Sequence, residues 1–514
     1  MKLFYIYLFI FIFYHNTYAQ YGRNSQFLIG YQAFSYDKEV GWYNMSYLQF
    51  KDTGITFTEP FYIPYNFVNT QTFTYCDTLG NPLLQLHACA VLEADSFTII
   101  ENGFFPFEDK LVSCKLNLTD PDELVLNLYP TPKGSFILSF DGKDDSLYII
   151  YQRLTTSVEG ERGYLFGAIA TRHPNGQYEV IQKDMNLAPV NNLSIGSCNA
   201  VRHANGKDWW IIFMDYEHRK NFYTILLDHE GFHAPVITKF EEWNNNISYI
   251  MDHISFSPDG NKVAVTNAKS DYLILNFDRC DGKLTYYHSG PVEQMTPRPF
   301  GGELFQFVEF SHSGRYLYVN TEFRIVQFDL EATDIDASRA IIAVFDTVGL
   351  TPFEQWGAFS NPIRAPNGYL YYWSWNGVPL IHRIEFPDRP GQACHFTQGH
   401  TRSPVFISWY TPTMIDYDLG PLPPGSCELS NHKQSDLVSD VQVYPNPTWD
   451  RLHLSIPPGL RIQSLDLLSL QGMVVKQLGN YPDRDTPIDI GLLPAGIYLL
   501  RVNGQVVCKV VKVG

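Results

Sequence analysis

One stretch of the chain matches a catalytic motif. His229-Glu-Gly-Phe-His233 sets two histidines four residues apart with a glutamate beside the first. On a helix that spacing puts both imidazoles on one face, where they hold zinc while the glutamate acts as base. The surrounding residues oppose a helix. Thr224-Ile-Leu-Leu227 reads as a strand, Asp228 to Gly231 as a turn, and Pro235 follows two residues later. A glycine inside the motif and a proline just beyond it break helical geometry, so the expectation is a hairpin that carries no zinc. No Gly-x-Ser-x-Gly occurs, which removes the nucleophile signature of the α/β-hydrolases. The acidic stretches Asp141-Gly-Lys-Asp-Asp145 and Asp278-Arg-Cys-Asp-Gly282 lack the ligand spacing of a calcium loop and read as turns. Trp209-Trp210 and Tyr371-Tyr-Trp-Ser-Trp375 have the rings for stacking sugars, but packing between layers is the plainer role expected of them. The sequence therefore assigns no catalytic residue, no metal ligand and no cofactor.

The elements that must position any site are β-strands. Aromatic residues make up 15% of the 514, with 33 Tyr and 36 Phe, and these suit a pleated, half-buried surface. The length suggests two or three domains, and 45% hydrophobic content suffices for a large core. A net charge of −17 and the absence of a basic run exclude nucleic acid as a partner. Residues 1–19 read as an export signal: Lys2, then the uncharged apolar run Leu3 to Tyr14, then Thr17-Tyr18-Ala19 with cleavage before Gln20. No later segment is long and apolar enough to span a bilayer, so the mature chain is expected to carry no membrane span. Eight cysteines in an exported chain point to disulfides. Cys76 and Cys89 flank a hairpin, and Cys394 and Cys427 bracket the end of the body; these are the expected pairs. Cys114, Cys198, Cys280 and Cys508 have no local mate.

An internal repeat organises the body. His253-Ile-Ser-Phe-Ser-Pro-Asp-Gly260-Asn-Lys-Val-Ala-Val265 is matched by Phe307 to Val319 around Gly314, by Pro362 to Tyr372 around Gly368, and by Ala200 to Ile212 around Gly206. The turn glycines 206, 260, 314 and 368 are spaced by 54 residues each. Weaker copies surround Gly142 and Gly80. A tight hairpin needs positive φ, which glycine adopts without a Cβ clash. Each unit continues with two further strand-like runs, for instance Tyr272 to Phe277 and Leu284 to Tyr287. Four short strands per unit of this length indicate propeller blades stacked about an axis. Six units are evident, and Ser46 to Thr58 together with Val405 to Trp409 could close a seventh. The expected fold is all-β: a six- or seven-bladed β-propeller over residues 20–428, a linker at 429–439, and a small Ig-like β-sandwich at 440–514.

Ser257-Pro-Asp-Gly260 with its flanking strands resembles the turn of WD40-like propellers. Ala200 to Trp210 and Asp416-Tyr-Asp-Leu-Gly-Pro-Leu422 resemble large secreted propellers that carry a sorting tail. The tail has the more specific motifs. Tyr444-Pro445-Asn446-Pro447, the Leu493-Pro-Ala-Gly496-Ile-Tyr498 segment and the final Lys509-Val-Val-Lys512 resemble the type A C-terminal sorting domain of the type IX secretion system. That resemblance implies recognition by the type IX machinery and a product that is released or held on the outer cell surface. It leaves two classes of function for the body. One is a non-catalytic module binding a glycan or protein at one mouth of the propeller, which is the expectation; the other is a secreted hydrolase or lyase acting at the central channel. Two or more carboxylates or histidines gathered around a pocket would favour the second. Glu101 to Pro132 and Ser289 to Leu304 are the long irregular stretches expected to carry recognition.

Overall fold

A computed structural model describes residues 23–513 except 31–35, 38–41, 64–71, 88–89, 106, 109–112, 115–133, 141–142, 158–159, 189–196, 216–220, 241–251, 268–271, 292–305, 375–376, 408–410, 412, 428–440, 456–461, 463–464, 470–473, 478–486 and 503–504. The signal segment and the linker lie outside these residues. Two compact units result, residues 1–421 and 422–514.

The first unit is a ring of β-meanders, a seven-bladed β-propeller. Six blades are antiparallel meanders, starting at Phe73–Cys76, Phe136–Ser139, Asn199–Arg202, Asp252–Phe256, Gln306–Phe310 and Phe359–Arg364. Five have four strands in sequence order, and the one starting at Asn199–Arg202 has five, because Val236–Lys239 also pairs with Asn221–Asp228. These first strands face one another around the axis. The second strands Trp209–Met214, Tyr316–Thr321 and Leu370–Ser374 are buried along their whole length. That burial follows from stacking, because adjacent blades cover both faces of an inner strand and it reads as continuous apolar sequence rather than alternation. An outermost strand, Val236–Lys239, is by contrast mostly exposed.

The remaining blade closes the ring. Gln26–Ile29 and Gly54–Phe57 flank the long strand Trp42–Lys51. Leu28 N–H donates to Thr74 Oγ1 at 2.9 Å on the following blade, while Phe27 stacks on Trp373 of the last blade at 5.9 Å. Asn367, in the repeat turn of that last blade, donates to the Lys51 and Gly54 carbonyls at 2.9 and 2.8 Å. The expected partner segment at Val405 behaves differently: Ile407 bridges Gly377 within the last blade, so the closing sheet is built from the amino-terminal strands.

Consecutive blades are joined by the same repeat position. Asn199 Nδ2 donates to the Ile254 carbonyl at 2.9 Å, and 54 residues later His253 Nδ1 accepts the Val308 N–H at 3.1 Å. The four turn glycines have φ of 71° (Gly206), 72° (Gly260), 76° (Gly314) and 90° (Gly368), as the repeat requires. At Gly260 a Cβ would also approach Val201 Cγ2 to 2.8 Å and Leu419 Cδ2 to 2.9 Å, whereas at Gly314 it would meet only Pro258 Cδ at 3.4 Å. Gly260→Ala is therefore expected to lower stability by about 2–3 kcal/mol and Gly314→Ala by about 1 kcal/mol, read as the difference in urea midpoints. Equal losses would mean that backbone strain alone sets the cost.

The cysteines correct both expected pairs. Cys76 and Cys394 are free buried thiols, whereas Cys427 is disulfide-bonded, so Cys394 is not its partner. Cys76 faces the closing blade, its thiol donating to the Gln26 carbonyl at 3.7 Å; the strand Pro82–His87 carries the chain away from it before position 89, which lies outside the described residues. Cys394 is fully buried in the last blade, where burial pushes its thiol up to about 11 and removes it from exchange chemistry.

The second unit is a β-sandwich. Gln442–Tyr444, Arg451–Ser455 and Ile488–Asp489 form one sheet. Val474–Gln477, Leu465–Leu468, Gly496–Val502 and Gln505–Lys512 form the other. Leu452, Leu454, Leu465, Leu467, Leu500 and Val510 fill the space between the sheets. The motif residues fold onto the last strand. Asn446 brackets it, Nδ2 donating to the Lys509 carbonyl at 2.6 Å and Oδ1 accepting the Val511 N–H at 2.8 Å. Both flanking peptide bonds, Tyr444–Pro445 and Asn446–Pro447, are cis. The Tyr498 hydroxyl donates to the Pro494 carbonyl at 2.8 Å, and Lys512 Nζ donates to the Val513 carbonyl at 2.9 Å.

Candidate functional site at a propeller mouth

The axis of the ring is occupied by the segment that ends the first unit. Gly134 N–H donates to Thr413 Oγ1 at 3.1 Å and Asn24 Nδ2 to the Ile415 carbonyl at 2.6 Å. The Arg202 guanidinium donates twice to the Tyr417 carbonyl at 3.3 Å, and Arg279 Nη2 donates to the Gly420 carbonyl at 2.6 Å. The Tyr417 hydroxyl donates to the Ile137 carbonyl, and its ring meets Trp209 and Tyr75 edge-on at 5.6 and 6.1 Å. This eight-residue stretch, Thr413 to Gly420, touches several of the blades at the centre of the ring.

Two cavities border this segment. The smaller, about 30 Å³, is lined by inner-strand residues that include Asn199, His253, Ser255 and Glu309. It has room for little more than water. The larger, about 340 Å³, lies at the mouth where the repeat turns emerge, and is bordered by Pro258, His312, Arg364, Pro366, Met414, Asp416, Asp418 and Leu419. Pro258, His312 and Pro366 occupy one repeat position, spaced by 54 residues. Of the two stretches expected to be irregular recognition loops, Glu101 to Pro132 and Ser289 to Leu304, the described parts are largely strand. Glu101 to Phe104 and Ser289 to Gly290 end longer strands, and Phe107–Glu108 pairs with Ser113–Cys114; residues 115–133 and 292–305 lie outside the described residues.

The electrostatics are layered. Glu309, 6% exposed, accepts at Oε1 from Ser255 Oγ at 2.6 Å, the Phe310 N–H at 3.0 Å and Arg364 Nη1 at 3.3 Å. Arg364 Nη1 also donates to the Phe256 carbonyl at 2.9 Å. Nearer the opening, burial and the Arg364 charge push the His312 imidazole below its usual range, against a hydrogen bond to the Tyr369 backbone. Its Nε2 is buried without a partner. A neutral ring whose other nitrogen serves the backbone presents Nε2 as an acceptor. Burial, then the neighbouring Asp416 charge, raises the Asp418 carboxyl above the ordinary carboxylate range.

The other candidates resolve as structural. His229 and Glu230 form a two-residue hairpin loop between Asn221–Asp228 and Gly231–Phe232, not a helical turn. His233 Nε2 pairs with Asp228 Oδ2 at 2.8 Å, and the groups able to share a cation there are Asp228, Glu230 and His233, without His229. Trp209, Tyr371, Tyr372 and Trp373 are at most 1% exposed and Trp210 is 5% exposed, so they pack between blades and offer no platform; Trp375 lies outside the described residues. Asp278 Oδ1 accepts the Cys280 N–H at 2.8 Å, as in a simple turn. Among the described residues one serine–histidine hydrogen bond occurs, Ser374 Oγ with His382 Nε2 at 2.8 Å. Because His382 Nδ1 accepts the Gly399 N–H, Nε2 carries the proton and donates to the serine, the reverse of what a general base does. Both residues are fully buried.

The sequence reading missed His312 and the axial segment. The only signal for His312 is its place in the column Ala204, Pro258, His312, Pro366, where one titratable ring stands among small or rigid residues. Asp416 and Asp418 were legible as part of the closing motif, but their position on the axis was not.

Comparison with known proteins adds one assignment. Residues 442–513 match the family described as secretion system C-terminal sorting domain, so the second unit is a type IX sorting domain and the chain is exported by that route. No curated protein matches the sequence. Similar solved structures include a protein from Lactobacillus plantarum (13% identity, 89% of this chain and 97% of that one, TM-score 0.36). A functionally unknown protein from Desulfotomaculum acetoxidans is 12% identical over 90% of this chain and 98% of that one, with a TM-score of 0.32. The Dos1 propeller is 12% identical over 64% of this chain and 71% of its own, also with a TM-score of 0.32. Among the described residues no helix is long and apolar enough to cross a membrane.

Proposed function

We propose that a propeller exported behind a type IX sorting domain acts as a non-catalytic binding module, released outside the cell or held on its outer surface, and that its ligand sits in the cavity framed by Pro258, His312 and Pro366. The observation that supports this reading is the axial segment. Thr413 to Gly420 fills the channel in which a propeller enzyme would seat its substrate, and leaves a cavity of about 340 Å³ at the mouth. Cavities of this size suit a single inserted group rather than a polymer chain.

A hydrolase or lyase is the second reading, because two carboxylates and a histidine do border that cavity. Against it, Asp416 and Asp418 lie two residues apart on one segment, with the Asp418 N–H donating to Asp416 Oδ1 at 3.1 Å. Acid–base cleavage of a glycoside needs carboxylates on either side of the bond. No serine, threonine or cysteine among the described lining residues is hydrogen-bonded to His312.

An array of glycans and peptides probed with the mature chain distinguishes the two. Retention of a probe by the wild type, its loss by at least tenfold in His312→Ala, and recovery of the probe at unchanged mass are expected. Cleaved probe would establish the enzyme instead.

A further inference from the structure

The charges around the mouth differ in accessibility. Every arginine beside it is already committed: Arg202 to the Tyr417 carbonyl, Arg279 to the Arg202 and Gly420 carbonyls, Arg23 to Asp144 at 2.8 Å, and Arg364 to Glu309 and the Phe256 carbonyl. Arg23, Arg202 and Arg279 are 6%, 4% and 2% exposed. The charges that meet solvent are the exposed carboxylates Asp416 and Asp418. Beside them the His312 Nε2 lone pair has no donor, so the open polar groups there are acceptors. Burial first, and then the Asp416 charge, lift the Asp418 carboxyl, and a positive ligand relieves the second of these. Besides Arg364, which Glu309 holds, and Asn24, whose amide donates to the Ile415 carbonyl, the remaining side chains of the lining, among them Pro258, Pro366, Met414 and Leu419, are apolar, and none carries an aromatic ring. A sugar hydroxyl brings lone pairs as well as protons and is held best against an aromatic face. An ammonium or guanidinium on an aliphatic stem brings only donors and has methylenes for an apolar wall.

We propose that this cavity receives the cationic side chain of a lysine or arginine presented by a protein partner, its head group between Asp416, Asp418 and His312 and its stem along Pro258, Pro366, Met414 and Leu419. The proposal rests on the mouth being a binding site and names what binds there. A net charge of −17 on the whole chain steers such a partner towards the protein, while the cavity selects the group that is inserted.

Isothermal titration of the mature full chain with capped tetralysine, capped tetraglutamate and a neutral maltooligosaccharide tests it. Tetralysine alone should bind. Asp416→Asn with Asp418→Asn should weaken it at least tenfold at an unchanged thermal midpoint, and the remote pair Asp52→Asn with Glu331→Gln should leave it within twofold. His312→Gln serves as a second probe of the cavity should the double variant fold poorly, and should also weaken binding. Equal losses in the two acidic pairs would overturn the proposal, because bulk charge would then explain the affinity. Binding of the maltooligosaccharide with tetralysine silent would overturn the proposal yet leave a binding mouth. If none of the three probes bound and the array retained nothing, both would fall.

Discussion

Deletion of residues 440–514 should leave the propeller in the periplasm of a host that owns a type IX secretion system, with its release or surface display lost. The match to the sorting family spans 442–513, and its motifs are held in one folded unit. Tyr444 and Trp449 remain 53% and 68% exposed, available to machinery that reads the surface. A finer variant separates folding of the tail from its mere presence. Asn446→Ala removes both hydrogen bonds to the last strand, a loss of about 1–3 kcal/mol in a module of some 70 residues with little stability to spare. Export should then fall several-fold without vanishing. Fractionation and immunoblotting read both outcomes, and normal appearance of the truncated chain in the medium would refute the role given to the tail.

Trp209→Ala should be the most destabilising single change in the propeller, by about 3–5 kcal/mol. The ring is fully buried and its Nε1 donates to the Ser139 carbonyl at 3.0 Å across the junction with the preceding blade. Arg202 lies 3.9 Å over its face, and Tyr417 packs against it from the axial segment. Truncation leaves a cavity, removes the shorter of two side-chain hydrogen bonds to the Ser139 carbonyl, and deprives the Arg202 guanidinium of its stacking surface at one junction. Trp210→Phe, which keeps an aromatic core and loses only the hydrogen bond to the Arg279 carbonyl at 2.9 Å, should cost about 1–2 kcal/mol. A urea midpoint for Trp209→Ala no lower than for Trp210→Phe would contradict this ranking.

What was legible in the sequence was local. Gly206, Gly260, Gly314 and Gly368 each declare a backbone conformation, and their spacing gives the blades. Tyr444 to Pro447 and the terminal lysines declare the tail by their order. What was not legible depends on ring closure. The amino-terminal blade lacks the repeat, and its membership is set by Phe27 against Trp373 and by Asn367 reaching Lys51 and Gly54, contacts more than 300 residues apart in sequence. The state of the cysteines eluded local pairing too, since Cys76 and Cys394, each expected in a bridge, are free buried thiols. His229 and His233 illustrate the converse: the motif was visible, and the strand, turn and proline around it argued for the hairpin that Asp228 and Gly231 close.

The central claim is that recognition occurs at the mouth bearing the repeat turns, over the segment that fills the axis. Hydrogen exchange read by mass spectrometry, on the mature chain with and without the probe that the array retains, tests it most directly. The account predicts added protection at residues 311–314, 364–366 and 413–420 and unchanged exchange at 322–323 and 377–379, in hairpins at the opposite ends of the same blades. Protection confined to 322–323 and 377–379, with the axial segment unaffected, would place recognition at the other mouth and contradict it.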